Sequence, residues 1–318
     1  MKYRRLGKSG VSVSELALGS WLTYGTVTER NQSVECVKEA YNQGINHFDC
    51  ANVYGSEPHA AEKVLGEALR PYRRDSYVLT TKVFGKVGDG VNDKGLSRKH
   101  IFSQIDESLK SLGVDYVDIL YCHRFDEETD LEETLRALDD LVVQGKVLYT
   151  GISEWPVHRI SEAVSLQKEL RLHKLAASQP VYNLFNRYIE EAVIPVCDDA
   201  GIGQVVFSPL AQGVLTGKYR RGQARPEGSR AATASVSRFV ERYLDDEHLS
   251  KVEKLKEIAD ELSISLAQLS LAWVLRQPSV SSALIGASRP EQVKENAASA
   301  AITLDKDTLK KIEEIVDK

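Results

Sequence analysis

Two kinds of hydrophobic pattern take turns along the chain. Short, nearly continuous apolar runs are followed by longer stretches in which apolar residues recur every three or four positions. The first kind suits a strand buried on both faces, and the second a helix with one buried face. The opening stretch KYRRLGKSGVSVSELALGSW reads as a short strand, a GKSG turn and a second strand, a hairpin that would plug the amino-terminal end of a barrel. After it, LALGS, NHFDCA, SYVLTTK, VDYVDILYC, VLYTGIS, KLAASQP, QVVFSPL and SALIGAS read as strands. Helical spacing runs over residues 31–43, then through HAAEKVLGEALR, with Ala60, Val64, Leu65 and Leu69 on one side. It returns in SRKHIFSQIDESLKSLG, with Ser97 as N-cap and Gly113 as stop, and in LEETLRALDDLVVQG, VHRISEAVSLQKEL and EEAVIPVCDDAG. Helices near 247–262 and 266–276 precede the last strand, and two more follow it. Residues 211–240 read as a long polar loop, the most flexible stretch of the chain.

Eight strand–helix units in regular alternation predict parallel strands with helices outside. The expected fold is α/β, a (β/α)8 TIM barrel with an N-terminal β-hairpin and extra C-terminal helices, forming one domain over 1–318. A doubly wound open sheet fits less well, because no GxGxxG follows the first strand.

Composition narrows the class. Of 318 residues, 42% are hydrophobic and 27% charged, as in an ordinary globular protein. The net charge of -5 argues against a nucleic-acid or anionic-membrane surface. No apolar run is long enough to span a bilayer, and no apolar signal core follows Met1, so a cytoplasmic location and no required membrane are expected. Cys36, Cys50, Cys122 and Cys197 are scattered without a CxxC, and the seven histidines form no HxH or HExxH, so no metal is expected.

The candidate chemistry sits at strand ends. Asp49, Tyr54, Lys82 and His123 each fall at or just beyond the carboxyl end of a predicted strand. Asp49 to Lys82 and Lys82 to His123 are each about one strand–helix unit, so all reach the face where such barrels keep their chemistry. A phenol beside an ammonium, with a carboxylate and an imidazole nearby, can move a proton to a carbonyl oxygen. Tyr54 is the candidate general acid. An ordinary phenol titrates too high for efficient work at neutral pH, so the Lys82 cation is expected to lower it, with Asp49 holding the ammonium. His123 would fix the direction of a substrate oxygen. Each residue alone has a bland reading as packing or solvated charge; their joint placement favours function.

A second constellation comes late. FSPLAQGVLTGKY offers Gly213, Gly217 and Lys218 to an anion, and LIGASRPEQVKEN opens a helix with Ser288 and Arg289 beside its first N–H groups. Ser288 alone reads equally well as an N-cap, with Pro290 in the first turn. Trp21, Trp155, Tyr182 and Phe207 are aromatic candidates for the mouth, with ordinary packing the alternative for each.

FDCANVYG, LTTK, GLSRKHI, DYVDILYCH, QPVYNLFNR, FSPLAQGVLTGKY and GASRPEQVKEN together resemble the aldo-keto reductase superfamily. Within it the chain is similar to the branch that includes the voltage-gated potassium channel β-subunits and their bacterial relatives. The resemblance implies a barrel that binds NADPH (NADP+) in an extended pose and reduces a small-molecule carbonyl substrate by hydride transfer. Asp49, Tyr54, Lys82 and His123 fall on the family's catalytic tetrad. The resemblance assigns Ser153 and Gln179 to the nicotinamide carboxamide, Phe207 to the ring, and Gly19, Trp21 and Asp49 to the same set. It assigns Ser208, Leu210, Gly213, Gly217 and Lys218 to the strand and loop over the pyrophosphate, with Pro209, Gln212 and Leu215 in the same cofactor set. Ser288, Arg289 and Gln292 match the 2'-phosphate region, Glu295 and Asn296 the adenine contacts, and Gly286 belongs to the cofactor set without a finer assignment. The implied substrate pocket comprises Trp21, Tyr54, His123 and Trp155.

Two departures bear on this. Many relatives carry Ser-Asn after the fifth strand where this chain has Ser153-Glu154, and a carboxylate cannot donate to a carboxamide oxygen, so Glu154 is left out of the cofactor set. Channel-associated members often lack the histidine present here as His123, and that favours turnover. The alternative function is an NADPH-binding, redox-sensing regulatory subunit with little turnover. A barrel using Lys82 as a Schiff base ranks third, since it leaves Tyr54 without a job. A homo-oligomer, tetramer or octamer, is an implied assembly; no nucleic-acid partner is expected.

Overall fold

The computed structural model describes residues 1–25, 28–234 and 236–317. Eight parallel strands close a barrel: β3 (Leu16–Gly19), β4 (His47–Asp49), β5 (Val78–Val83), β6 (Val117–Cys122), β7 (Val147–Ile152), β8 (Leu175–Ser178), β9 (Gly203–Val206) and β10 (Val280–Ile285). Each strand pairs with the next, and β10 closes on β3 through Leu284 and Ala17. The expected parallel barrel is therefore the observed one.

The antiparallel hairpin β1 (Tyr3–Arg5) and β2 (Ser12–Ser14) lies under it. Leu6 and Val13 join Ala17, Val78, Ile119, Tyr121, Val205 and Leu284 in the apolar cluster that fills the barrel's amino-terminal half. At Gly7, where φ is +55°, an added Cβ would lie 2.3 Å from the Gly201 carbonyl oxygen. Only glycine lets the hairpin turn press that close. Arg4 fastens the same element, pairing with Glu15 and donating to the carbonyls of Leu275, Gln277 and Val280.

The outer layer comprises α1 (Arg30–Asn42), α2 (Ala60–Leu69), α3 (Arg98–Leu112), α4 (Leu131–Val143), α5 (Val157–Leu170) and α6 (Val193–Ala200), each after its strand. The short α7 (Arg238–Glu241) and the longer α8 (Asp246–Glu261) and α9 (Leu266–Leu275) precede β10, and α10 (Pro290–Ala298) and α11 (Lys306–Val316) end the chain. A larger apolar cluster between strands and helices forms the second core layer. Local chemistry accounts for several boundaries. Ser97 accepts from the His100 N–H at the start of α3, and Gly113 ends that helix in the left-handed region. Asp130 and Asp305 cap α4 and α11, and Ser265 with Gln268 forms a capping box on α9.

Three expectations need correction. Residues 211–240 are not a plain loop. Tight helical turns at Ala211–Thr216 and Arg230–Ala232, together with α7, fold them onto the barrel; Ser235 lies outside the described residues. Buried Val214, Leu215, Tyr219, Val236 and Val240 supply the anchors that the polar composition concealed. Second, Ser288 is not a cap: Arg289 holds that position without a side-chain bond, followed by Pro290. Third, Ala60 is only partly buried, whereas Ala61 and Glu62 beside it are buried.

Candidate active site

A cleft of about 880 Å³ opens at the carboxyl-terminal end of the barrel strands. Neighbouring strands β4, β5 and β6 deliver Asp49, Lys82 and His123 to one end of it, and the loop after β4 delivers Tyr54. Lys82 is 1% exposed, beneath the floor, and its Nζ sits 2.5 Å from Asp49 Oδ2 and 2.8 Å from the Cys50 carbonyl oxygen. Asp49 Oδ1 accepts from Thr80 Oγ1 at 2.7 Å and from Gln179 Nε2 at 3.0 Å, so a buried charge pair has its remaining lone pairs filled. Lys82 Nζ is 4.9 Å from the Tyr54 ring centroid, and Tyr54 Oη is 3.3 Å from His123 Nε2.

The loop that carries Tyr54 is held from behind. Asn52 donates its backbone N–H to the Lys82 carbonyl, and His59 donates its own to Asn52. A Cβ on Gly55, where φ is +114°, would come within 2.5 Å of the Ala60 Cβ, so glycine is required as the loop folds onto α2. Glu62, wholly buried on α2, accepts from the Thr81 hydroxyl next to Lys82 and meets His59 Nδ1 at 2.5 Å. Sequence pattern missed Glu62, because an acid on an amphipathic helix ordinarily reads as its wet face.

The electrostatics differ from expectation at Tyr54. Burial pushes its phenol well above the ordinary value of 10.0, with Asp49 and Cys50 adding to the rise and Arg124 opposing it. The expected lowering is outweighed: burial dominates, and Asp49, paired with the Lys82 ammonium, itself raises the phenol. Burial, then Lys82 and Arg124, drives the His123 imidazole well below 6.5. The pair therefore meets a ligand as a neutral phenol and a neutral imidazole, able to share a hydrogen bond with one oxygen.

Trp21 spans the mouth, its ring 6.4 Å from Tyr54, 6.2 Å from Phe207 and 5.0 Å from Phe239. Gly19, Ser153, Gln179, Ser208, Pro209, Leu210, Gln212 and Gly213 line the middle of the sequence-predicted set. Ser153 Oγ donates to the Gln179 carbonyl at 2.8 Å. Ser208 and Gln212 adopt left-handed backbone and bond to each other through their side chains. Gly286, Ser288, Arg289, Gln292, Glu295 and Asn296 line the remaining wall. Gln292 Oε1 accepts from the Ser288 N–H at 2.9 Å.

Arg230, unforeseen from sequence, lines the cleft from one of the tight turns and donates to Gln212 Oε1 at 2.8 Å. No motif marks it; only the folding of residues 211–240 brings it in. Burial, and then the charges of Arg230 and Arg289, lower the Lys218 ammonium's pKa. Three cations thus share this wall, and among the described residues none is in a salt bridge. Arg230 is half-buried and Lys218 and Arg289 are exposed, and such a cluster of like charge fits a polyanion.

Some expected residues are elsewhere. Trp155 is buried edge-on against Phe125, 4.8 Å between centroids, and does not line the cleft. Leu215 is fully buried in the core, and Gly217 closes its turn against Leu266 and Lys256. Tyr182 turns away to bond Glu190 and Arg276. Glu154, with φ of +54°, accepts from the Val181 N–H at 2.6 Å and so ties the end of β7 to the chain after β8. Among the described residues no group of His, Cys, Asp and Glu is placed to hold a metal, and no single helix is long and apolar enough to cross a membrane.

Residues 15–317 match the model of the aldo/keto reductase family. A probable voltage-gated potassium channel subunit beta of Arabidopsis thaliana is 43% identical over 99% of this chain and 97% of its own length. A putative voltage-gated potassium channel subunit beta of Schizosaccharomyces pombe is 39% identical over 99% and 93%. An L-glyceraldehyde 3-phosphate reductase of Escherichia coli is 39% identical over 93% and 86%.

Proposed function

The chain belongs to the aldo/keto reductase family, and from that premise we propose that it reduces aldehydes or ketones to alcohols with NADPH, Tyr54 acting as the general acid. The observation that carries this reading is the 3.3 Å contact of Tyr54 Oη with His123 Nε2 above the buried Lys82–Asp49 pair. That constellation lies in a cleft whose far wall holds Lys218, Arg230 and Arg289.

The residues suit an extended dinucleotide phosphate. Lys218, Arg230 and Arg289 supply guanidinium and ammonium donors for its phosphates, and Ser288 adds a hydroxyl. Phe207 offers a ring face, and Ser153 and Gln179 offer polar groups between it and Tyr54. When bound, NADPH supplies the hydride for the carbonyl carbon. Tyr54 gives its proton to the carbonyl oxygen. His123, neutral, fixes that oxygen by a hydrogen bond, which sets the face presented for reaction. Lys82, held by Asp49 and the Cys50 carbonyl, places a cation under the Tyr54 ring and stabilises negative charge as the proton leaves.

The relatives named as potassium channel subunits favour a second reading, a cofactor-holding regulatory subunit with little turnover. The presence of His123 beside Tyr54 favours turnover. The test is Tyr54→Phe: carbonyl reduction should fall by about 10²–10⁴-fold, with NADPH affinity, followed by fluorescence, kept within about twofold. Normal turnover by the variant would remove Tyr54 as the acid. Arg289→Ala should weaken NADPH by about tenfold or more while sparing NADH; equal losses for both cofactors would move Arg289 away from the 2'-phosphate.

A further inference from the structure

Resting on that reading of the cleft, we propose that its substrates carry an oxyanion, a carboxylate or a phosphate monoester, and that Arg124 selects them. Five cations line the cleft, Arg124, Lys218, Arg230, Arg238 and Arg289, against two carboxylates, Asp49 and Glu295. Lys218, Arg230 and Arg289 lie together, as their mutual electrostatic effect attests, and they follow β9 and β10, across the closed barrel from β5 and β6. Arg124 belongs to the other end. It follows His123 directly, and its Nη1 donates to the His123 carbonyl at 2.7 Å and approaches Ser153 Oγ at 3.5 Å. Its charge reaches both Tyr54 and His123.

Among the described residues no carboxylate lies within salt-bridge distance of it. Asp49 is taken up by Lys82, and Glu295 sits on α10 with Gln292 and Asn296. Glu154, the next residue after Ser153, spends its Oε1 on the Val181 N–H and the Tyr188 hydroxyl, and it is not on the cleft wall. Among the described residues Arg124 is in no salt bridge, and one of its terminal nitrogens is enough to hold it on the His123 carbonyl. Nε and Nη2 of its planar five-donor fork have no partner among the described residues on an exposed side chain that lines the cleft, which suits an oxyanion better than a neutral group. Arg238 adds a second cation from α7, resting on Phe239, whose ring meets Trp21. The Arg124 and Arg238 side chains are exposed, so water solvates them beside a neutral substrate, whereas an anionic one is drawn in and exchanges that water for a charge-assisted bond.

The test measures kcat/KM for matched aldehydes in the wild-type protein, Arg124→Gln and Arg124→Lys. The pairs are glycolaldehyde phosphate with glycolaldehyde, and 4-carboxybenzaldehyde with 4-carbamoylbenzaldehyde. The neutral member of each pair reports on carbonyl reduction itself; the anionic-to-neutral ratio reports on Arg124. In the wild type the ratio should be about tenfold or more in at least one pair, carried mainly by KM, and should shrink at about 0.5 M salt. Arg124→Gln should cut the ratio by about tenfold or more, with Arg124→Lys restoring part of it. Whichever pair responds names the source of the oxyanion. A wild-type ratio near one, or a ratio that survives in Arg124→Gln, overturns the proposal. Should neither neutral aldehyde nor its anionic partner be reduced, the reductase reading fails by itself, and binding of benzoate against benzamide, read from tryptophan fluorescence, decides the inference. Tighter benzoate binding that is lost in Arg124→Gln sustains it, and equal binding overturns it.

Discussion

His47 stands two residues before Asp49 on β4, wholly buried, with neither ring nitrogen partnered among the described residues. Burial, the dominant cause, lowers its pKa to about 4, with Asp49 opposing and Lys82 adding. The sign follows from linkage. Between the ordinary value of 6.5 and about 4, an unfolded chain protonates this imidazole and the folded one does not, so stability falls as pH falls through that window. The full loss is about 3 kcal/mol, and His100 and His123, whose pKa values are also lowered, add slopes of the same sign. His47→Leu should therefore flatten the dependence of urea-unfolding stability on pH across the window; an unchanged slope would mean that the imidazole is not buried neutral. The same reasoning predicts the rate profile. In the proposed reaction Tyr54 must be protonated, and its pKa is raised above 10.0, while His123 must be neutral, and its pKa lies below 6.5. The kcat/KM for a neutral aldehyde should then be level between those two values. An inflection inside the interval would assign the acid or the hydrogen-bond donor to another group. At this scale the meeting of Asp49, Tyr54, Lys82 and His123 was legible because each follows an apolar run. Glu62, Arg230 and the turned-away Trp155 were not, since their roles depend on contacts far apart in sequence.

Helix packing sets how accurately those side chains are presented. Gly66 lies inside α2, where a Cβ would stand 2.2 Å from the Leu112 carbonyl oxygen at the end of α3. Alanine in an exposed helix interior gains about 1 kcal/mol over glycine. Here the clash reverses the sign, and Gly66→Ala should destabilise by about 1–3 kcal/mol in urea unfolding; a stabilised variant would show that α2 and α3 are not in this close contact. The element boundaries were mostly legible, because Ser97, Gly113 and the apolar periods act locally. The segment 211–240 was not. Most of its polar residues are exposed, and the few apolar anchors, Val214, Leu215, Tyr219, Val236 and Val240, have no regular spacing to announce helical turns. Those turns also carry Arg230 and Arg238 to the cleft, so the misread element and the unforeseen cations have one cause.

Closure of the barrel turns spacing into proximity. Asp49, Lys82 and His123 are one strand–helix unit apart in sequence and become neighbours across three adjacent strands. The cleft above them is chemically polarised, with proton-handling groups and Arg124 at one end and the Lys218, Arg230 and Arg289 wall at the other. Such a shape serves a molecule that holds one end firmly and reacts at the other, and it serves an enzyme and a cofactor sensor alike until turnover is counted. The most direct measurement is the amount of alcohol formed per polypeptide chain with excess NADPH and aldehyde, in the wild-type protein and in Tyr54→Phe. The account predicts many alcohol molecules per wild-type chain, in step with NADPH consumed, and almost none from the variant. At most one alcohol per wild-type chain, or equal yields from the two proteins, would contradict it.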